Sequence, residues 1–313
     1  MVSAAPPDAS GRTPADDPVV GPVGTVAVIA HRKKSMGGGL DELRSQIVGH
    51  GPQELLWYEV PKSKKAPKCA RRAVEAGAEL IFVWGGDGMV QRCADALAGS
   101  RTAVAIVPAG TANLLAHDLG VPQDVGDAVR IGFHGARRAI DLGRLNGEHF
   151  AVMAGVGLDA EMIRDADRGL KDRLGRLAYV WTGARHVARS RTRMRITVDG
   201  TRWFDGSASC VLLGNIGTIT GGVPAFDDAR PDDGFLEVGV TTAEGPIQWA
   251  RTFGRIALGR SSRSPFVRIT RARKITVKLA EPRTYELDGG ARKATDRLKA
   301  RTVPGAITVC VPA

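Results

Sequence analysis

Aromatic residues make up 5% of the 313 residues, and there are four cysteines. Cys69, Cys93, Cys210 and Cys310 are scattered without metal-type spacing. That excludes a disulfide framework and reads as buried thiols in a reducing compartment. No run is long and apolar enough to span a bilayer, so membrane contact is expected to be peripheral. Met1 to Gly21 is rich in Pro, Ala and Asp and lacks an apolar h-region, so it is no signal peptide. Residues 1–22 are expected to form a disordered leader. Acidic residues fall short of basic ones, 33 against 44, for a formal net charge of +11. Yet the chain carries no nucleic-acid-binding signature, so nucleic acid is not an expected partner.

The chain is organised around Ala78 to Gly120. Glu79 to Trp84 is an apolar run of strand length, followed at once by Gly85-Gly86-Asp87-Gly88. Met89 to Leu97 reads as a helix with Val90, Cys93, Ala94 and Leu97 on one face. A second strand, Ala103 to Val107, runs into Pro108-Ala109-Gly110-Thr111-Ala112-Asn113, and a second helix carries Leu114, Leu115 and Leu119. Glycines let a backbone approach a phosphate, and a helix N-terminus offers free N–H groups. Two such turns on neighbouring parallel strands form a ligand crevice. Asp87 caps its helix on one reading. On the other it handles a metal, a water network or a substrate hydroxyl.

Strands at Thr25–Ala30 and Leu55–Val60 alternate with helices at Leu40–Val48 and Pro67–Ala76, the latter stopped by Gly77, and a further helix spans Val125–His134. This predicts a doubly wound parallel sheet over residues 23–138. The style then changes. Ala139 to Val152 reads as a hairpin turning at Asn146-Gly147. Met194, Ile196 and Val198, then Ile275, Val277 and Leu279, then Ile307, Val309 and Val311 alternate with other residues. Residues 139–313 therefore read as an antiparallel β-rich sandwich domain, with the return of the last strand to the first domain left open. A helical insertion is expected from Asp159 to Ser190, with Leu174, Leu177, Ala178, Trp181 and Arg185 on one face. Arg185, Arg189, Arg191, Arg193 and Arg195 form either a solvated face or a contact for an anionic membrane.

The two turns resemble those of the diacylglycerol kinase catalytic family, which includes sphingosine, ceramide and bacterial lipid kinases. The likeness continues through Ala154 to Ala160 (AGVGLDA), Gly221-Gly222, Pro224-Ala225, Asp232 to Val238 and Leu287-Asp288-Gly289. It covers roughly Val23 to the end, and an ordered series is more specific than any one motif. Three positions depart from the pattern. His31 stands for Asn, Met89 for a common Thr, and Gly290 for the Glu of Asp-Gly-Glu.

The resemblance implies ATP and Mg²⁺ as cofactors and γ-phosphate transfer to a lipid hydroxyl, in the cytoplasm at the inner membrane face. Gly85, Gly86, Asp87, Gly88, Gly110, Thr111 and Asn113 would hold the nucleotide. Asp288 and Asp87 are the candidate catalytic carboxylates. Asp233, with the carbonyls of Arg230 and Phe235, would form a metal site, joined by Asp141 through a water network. Implied partners are the lipid and an anionic membrane surface, with a homodimer left open. An NAD kinase shares the GGDG turn, but the Asn-Glu dipeptide of that family is missing after the first domain. A lipid- or nucleotide-binding relative without turnover is the other alternative, favoured by Gly290.

Overall fold

Short apolar runs between helices build the first half of the chain. In the computed structural model, residues 24–157, 191–219, 223–257 and 264–313 are described. The expected leader and the helical insertion through Ser190, with Asp159, Ala160, Arg185 and Arg189, lie outside them, as do Gly221 and Gly222. The order begins β1 (Thr25–His31), α1 (Gly39–Gly49), β2 (Glu54–Val60), α2 (Ala66–Glu75), β3 (Leu80–Gly85), α3 (Asp87–Leu97), β4 (Ala103–Pro108), α4 (Leu114–Asp118) and α5 (Val125–His134). The strands lie parallel in the order β2-β1-β3-β4. Every residue of β3 and β4 is buried, as both faces of a parallel sheet are when helices cover them.

Antiparallel strands dominate the second half. They are β5 (Ala136–Leu145), β6 (Glu148–Phe150), β7 (Met153–Val156), β8 (Thr192–Val198), β9 (Thr201–Ala208) and β10 (Cys210–Gly214). After them come the short pair β11 (Thr218–Ile219) and β12 (Val223–Pro224), then β13 (Leu236–Thr241), α6 (Gly245–Ala257), β14 (Val267–Ala272), β15 (Lys274–Leu287) and β16 (Gly290–Val311). Two hydrophobic cores result, one around Phe82, Trp84 and Ile106, the other around Phe150, Leu213, Val238 and Leu298. The architecture is thus an α/β layer followed by a β-rich sandwich.

β16 joins the halves. Its first part pairs with β15, and its last residues lie parallel to β4, Val309 opposite Val104. It also runs antiparallel to β5 with one irregularity between Val303 and Ile307. Pro304 has no N–H for the ladder, and Gly305 takes φ +56, so the strand bulges there. Asp141, on β5, holds the bulge: its carboxylate accepts from the Gly305 N–H at 2.8 Å and the Gly234 N–H at 2.6 Å. Asp141 is 3% exposed. Asp141→Ala leaves both part-buried N–H donors without that partner, and is expected to cost about 1–2 kcal/mol in urea unfolding. Asp141→Asn keeps one acceptor and should cost about half as much. Equal, near-zero costs would show that the clamp contributes nothing.

Candidate active site

Gly85 on β3 stands opposite Pro108 on β4, so the two glycine turns emerge side by side. They touch. A Cβ on Gly110 would lie 2.4 Å from the Gly86 Cα and 2.6 Å from Asn113 Oδ1. Asn113 locks the second turn by accepting from the Gly110 N–H and donating to the Gly110 carbonyl, each at 2.9 Å. Gly85 is small for another reason, since a Cβ there would lie 2.6 Å from the Met89 Cβ. Gly88 faces open space, with nothing within 4 Å of an added Cβ. α3 starts there with no side-chain cap. An uncapped helix N-terminus beside an open glycine fits an anionic group such as a polyphosphate. Thr111 lies exposed on the same turn.

Asp87 does not cap its own helix. Its Oδ1 accepts from the Leu115 N–H at 3.4 Å, so the carboxylate of one turn pins the helix that follows the other. Burial pushes its pKa up, and backbone N–H groups at Leu114, Leu115 and Asn113 pull it back. Asp87 thus bridges both turns.

Asp288 comes from a hairpin. Asn146-Gly147, Asp199-Gly200 and Asp288-Gly289 each join two strands, with positive φ at every one of these residues. That is the chemistry of a tight two-residue turn. Asn146 and Asp199 are exposed, as turn residues usually are; Asp288 is buried. Its Oδ2 accepts from the Ala151 N–H at 2.7 Å, and its Oδ1 from the N–H groups of Val152 at 2.9 Å and Met153 at 2.8 Å. Burial nevertheless dominates and pushes its pKa up to about 7, with the Asp87 charge adding to the rise.

A cavity of about 150 Å³ lies between the halves, and both carboxylates line it. Leu114, Val152, Met153 and Leu212 supply apolar wall, and Glu286 a further carboxylate. Sequence reasoning missed Glu286 and the Ala151–Met153 backbone cradle. Glu286 carried no signal, because Asp288 lies in the turn that follows its strand, where strand alternation no longer holds. The cradle was hidden because backbone donors carry no residue signature.

Gly290 follows directly. A Cβ there would meet Arg292 Nη1 at 2.7 Å. Arg292 is held by Glu148, its Nε donating to Oε2 at 2.7 Å, and by the Gly290 carbonyl at 2.7 Å. The space a Glu side chain would enter is therefore next to a guanidinium tied to another carboxylate.

The Asp232-Asp233 turn lies elsewhere, beside Asp141. Asp141 reaches it directly through the Gly234 N–H, and its own N–H donates to the Pro231 carbonyl at 2.6 Å. Asp233 Oδ1 accepts from the Phe235 N–H at 3.0 Å and its Oδ2 from Arg271 at 2.5 Å. Arg271 also stacks over the Phe235 ring, 4.3 Å from its centroid. Arg230 is exposed beside this turn. With a guanidinium already on Asp233, these residues as placed do not fit a resident cation. Among the described residues no group of three or more His, Cys, Asp or Glu side chains could hold a metal ion.

Residues 26–145 match the family described as the diacylglycerol kinase catalytic domain, and residues 151–311 match the YegS C-terminal NAD kinase beta sandwich-like domain. The chain belongs to the diacylglycerol kinase family. This family of lipid kinases supplies its relatives too. A "Diacylglycerol kinase" of Bacillus subtilis is 30% identical over 75% of this chain and 80% of its own. A "Probable lipid kinase YegS-like" of Pseudomonas aeruginosa is 30% identical over 92% of this chain and 94% of its own. The crystal structure of a diacylglycerol kinase from Bacillus anthracis superposes with a TM-score of 0.70 at 21% identity, over 92% of this chain and 96% of that one. An Archaeoglobus fulgidus NAD kinase in complex with ATP superposes at 0.53 and 10% identity, over 92% and 93%. These two structures share the fold. Among the described residues of this lipid-kinase relative, no helix is long and apolar enough to cross a membrane.

Proposed function

We propose that the chain transfers the γ-phosphate of Mg²⁺-ATP to the hydroxyl of diacylglycerol or a related lipid at a membrane surface. The observation that carries this reading is Asp288: a buried carboxylate, raised to about 7, lining an apolar pocket beside the glycine turns. When bound, the nucleotide supplies the phosphoryl group, and Mg²⁺ offsets its charge. The glycine turns and the start of α3 seat the phosphates. Leu114, Met153 and Leu212 accept the apolar part of the lipid and exclude water. Asp288, in its ionised form, takes the proton of the acceptor hydroxyl as that oxygen bonds phosphorus, leaving ADP as the other product. The three N–H groups of Ala151, Val152 and Met153 hold both of its oxygens in place.

Asp87 tunes this base. Its charge disfavours ionised Asp288, so Asp87→Asn should lower the Asp288 pKa. The acid limb of the residual pH–rate profile is expected to move to lower pH. No movement, or movement upward, would remove Asp87 from the electrostatics of the base.

An NAD kinase is the rival with the same fold. Its acceptor is a polar dinucleotide, which suits the apolar wall of this pocket poorly. Thermal melting in diacylglycerol-loaded micelles against NAD separates the two. Stabilisation by diacylglycerol, with a phosphorylated lipid as product, is the expected result. Stabilisation by NAD with phosphorylation of its ribose would replace the reading. ATP binding without turnover on any lipid would point to a binding protein.

A further inference from the structure

Away from the pocket, strand register loads one outward sheet face with cations. Arg144 on β5 stands opposite Arg301 on β16, which in turn stands opposite Lys274 on β15. Two residues along, Lys299 faces Thr276; two further, Arg297 faces Lys278, itself opposite Arg195 on β8. The alternate residues Leu145, Ala300, Ile275, Leu298 and Val277 are buried in the second core. The charged set therefore shares the outer face. All of it is exposed except Arg144, which is half-buried.

Like charges directly opposite one another weaken a sheet. Carboxylates of the described residues do little to offset them here. Among the described residues, no carboxylate lies within 4.0 Å of the charged atoms of Arg144, Lys274, Lys278, Arg297, Lys299 or Arg301. Asp205 pairs with Arg195 at 3.0 Å and Arg193 at 3.6 Å. Asp199 is turned to backbone, accepting from the N–H groups of Arg273 at 3.1 Å and Lys274 at 2.8 Å. A row of cations across three strands without a carboxylate partner among the described residues is expected to have an external anionic partner.

We propose that this face docks the protein on an anionic bilayer, the cations lying against lipid phosphates. The lipid-acceptor reading enters only in choosing a bilayer over nucleic acid. These positions also carry no aromatic ring on which a base would stack. Each cation near an anionic leaflet is worth about a fivefold gain in binding.

Co-sedimentation tests this, using phosphatidylglycerol–phosphatidylcholine vesicles against phosphatidylcholine alone. Wild type is expected to bind the anionic vesicles and to be released by salt. The combined variant Lys274→Gln, Lys299→Gln, Arg301→Gln should bind them about 10²-fold less tightly. A Lys274→Arg, Lys299→Arg control should keep binding, as should Arg71→Gln, Arg72→Gln at exposed positions of α2. Phosphorylation of a micelle-dispersed acceptor should be unchanged in the triple variant. That result separates failure of this docking surface from failure of the kinase reading. Equal vesicle binding by wild type and the triple variant would overturn the proposal. So would indifference of wild type to lipid charge, or a loss confined to duplex DNA binding.

Discussion

Asp288→Asn is expected to lower kcat for phosphoryl transfer by about 10²–10⁴-fold, the usual contribution of a general base. The amide cannot take the acceptor proton, and its NH₂ would face an N–H donor at Ala151 or Val152 in place of an acceptor. Wild-type kcat should rise with pH through about 7, because the protonated acid cannot act as base. Stability supplies an independent check. Burial raises the folded pKa above the ordinary 3.8, so ionising Asp288 destabilises the native state. That cost is absent below the ordinary value and complete above the folded one. The stability difference between variant and wild type should therefore shift in favour of Asp288→Asn as pH climbs from about 4 to about 7. Urea unfolding of both proteins across this window measures it. A difference that is flat with pH would mean that Asp288 is not raised.

Gly110→Ala is expected to give the second-largest effect. The added methyl would sit 2.4 Å from the Gly86 Cα, and backbone cannot swing aside as the tip of a side chain can. The turns must separate, and the paired bonds between Gly110 and Asn113 open with them. Overpacking of this kind costs about 1–3 kcal/mol of stability. The catalytic effect should be larger, about 10²-fold in kcat/KM for ATP, since a shift near 1 Å misplaces the phosphates. Gly88→Ala is the matched comparison, because its Cβ meets nothing within 4 Å. It should keep its melting temperature within a degree or two, while its methyl enters the space assigned to phosphate and raises KM for ATP. If Gly110→Ala melts and turns over like wild type, the two turns do not pack as described.

Much of this arrangement was legible before folding. The β–α alternation through α5, the two glycine turns and the hairpin at Asn146-Gly147 all follow from local spacing. Other features depend on distant partners. Asp199-Gly200 and Asp288-Gly289 are the same dipeptide in the same kind of turn, and what buries Asp288 is a backbone cradle at Ala151–Met153, far away in sequence. β16 runs through Pro304-Gly305, a pair that usually reads as the end of a strand, and the Asp141 clamp lets it continue into the first sheet. The apolar alternation of Ile275, Val277 and Leu279 along β15 was legible, but the register that brings Arg144 and Arg301 beside Lys274 on its other face was not. Arg271 on Asp233 was equally hidden, because the acidic turn by itself reads as a cation site.

In this mechanism a buried Asp288 activates a lipid hydroxyl. Transfer of labelled γ-phosphate to total lipid extract in mixed micelles, comparing wild type with Asp288→Asn and Asp87→Asn, tests it most directly. A labelled phospholipid formed by wild type, lost with Asp288→Asn and formed with a shifted pH dependence by Asp87→Asn, with all three proteins folded, is the expected outcome. No labelled lipid from folded wild type across diacylglycerol, sphingoid bases and the extract, or undiminished transfer by Asp288→Asn, would contradict it.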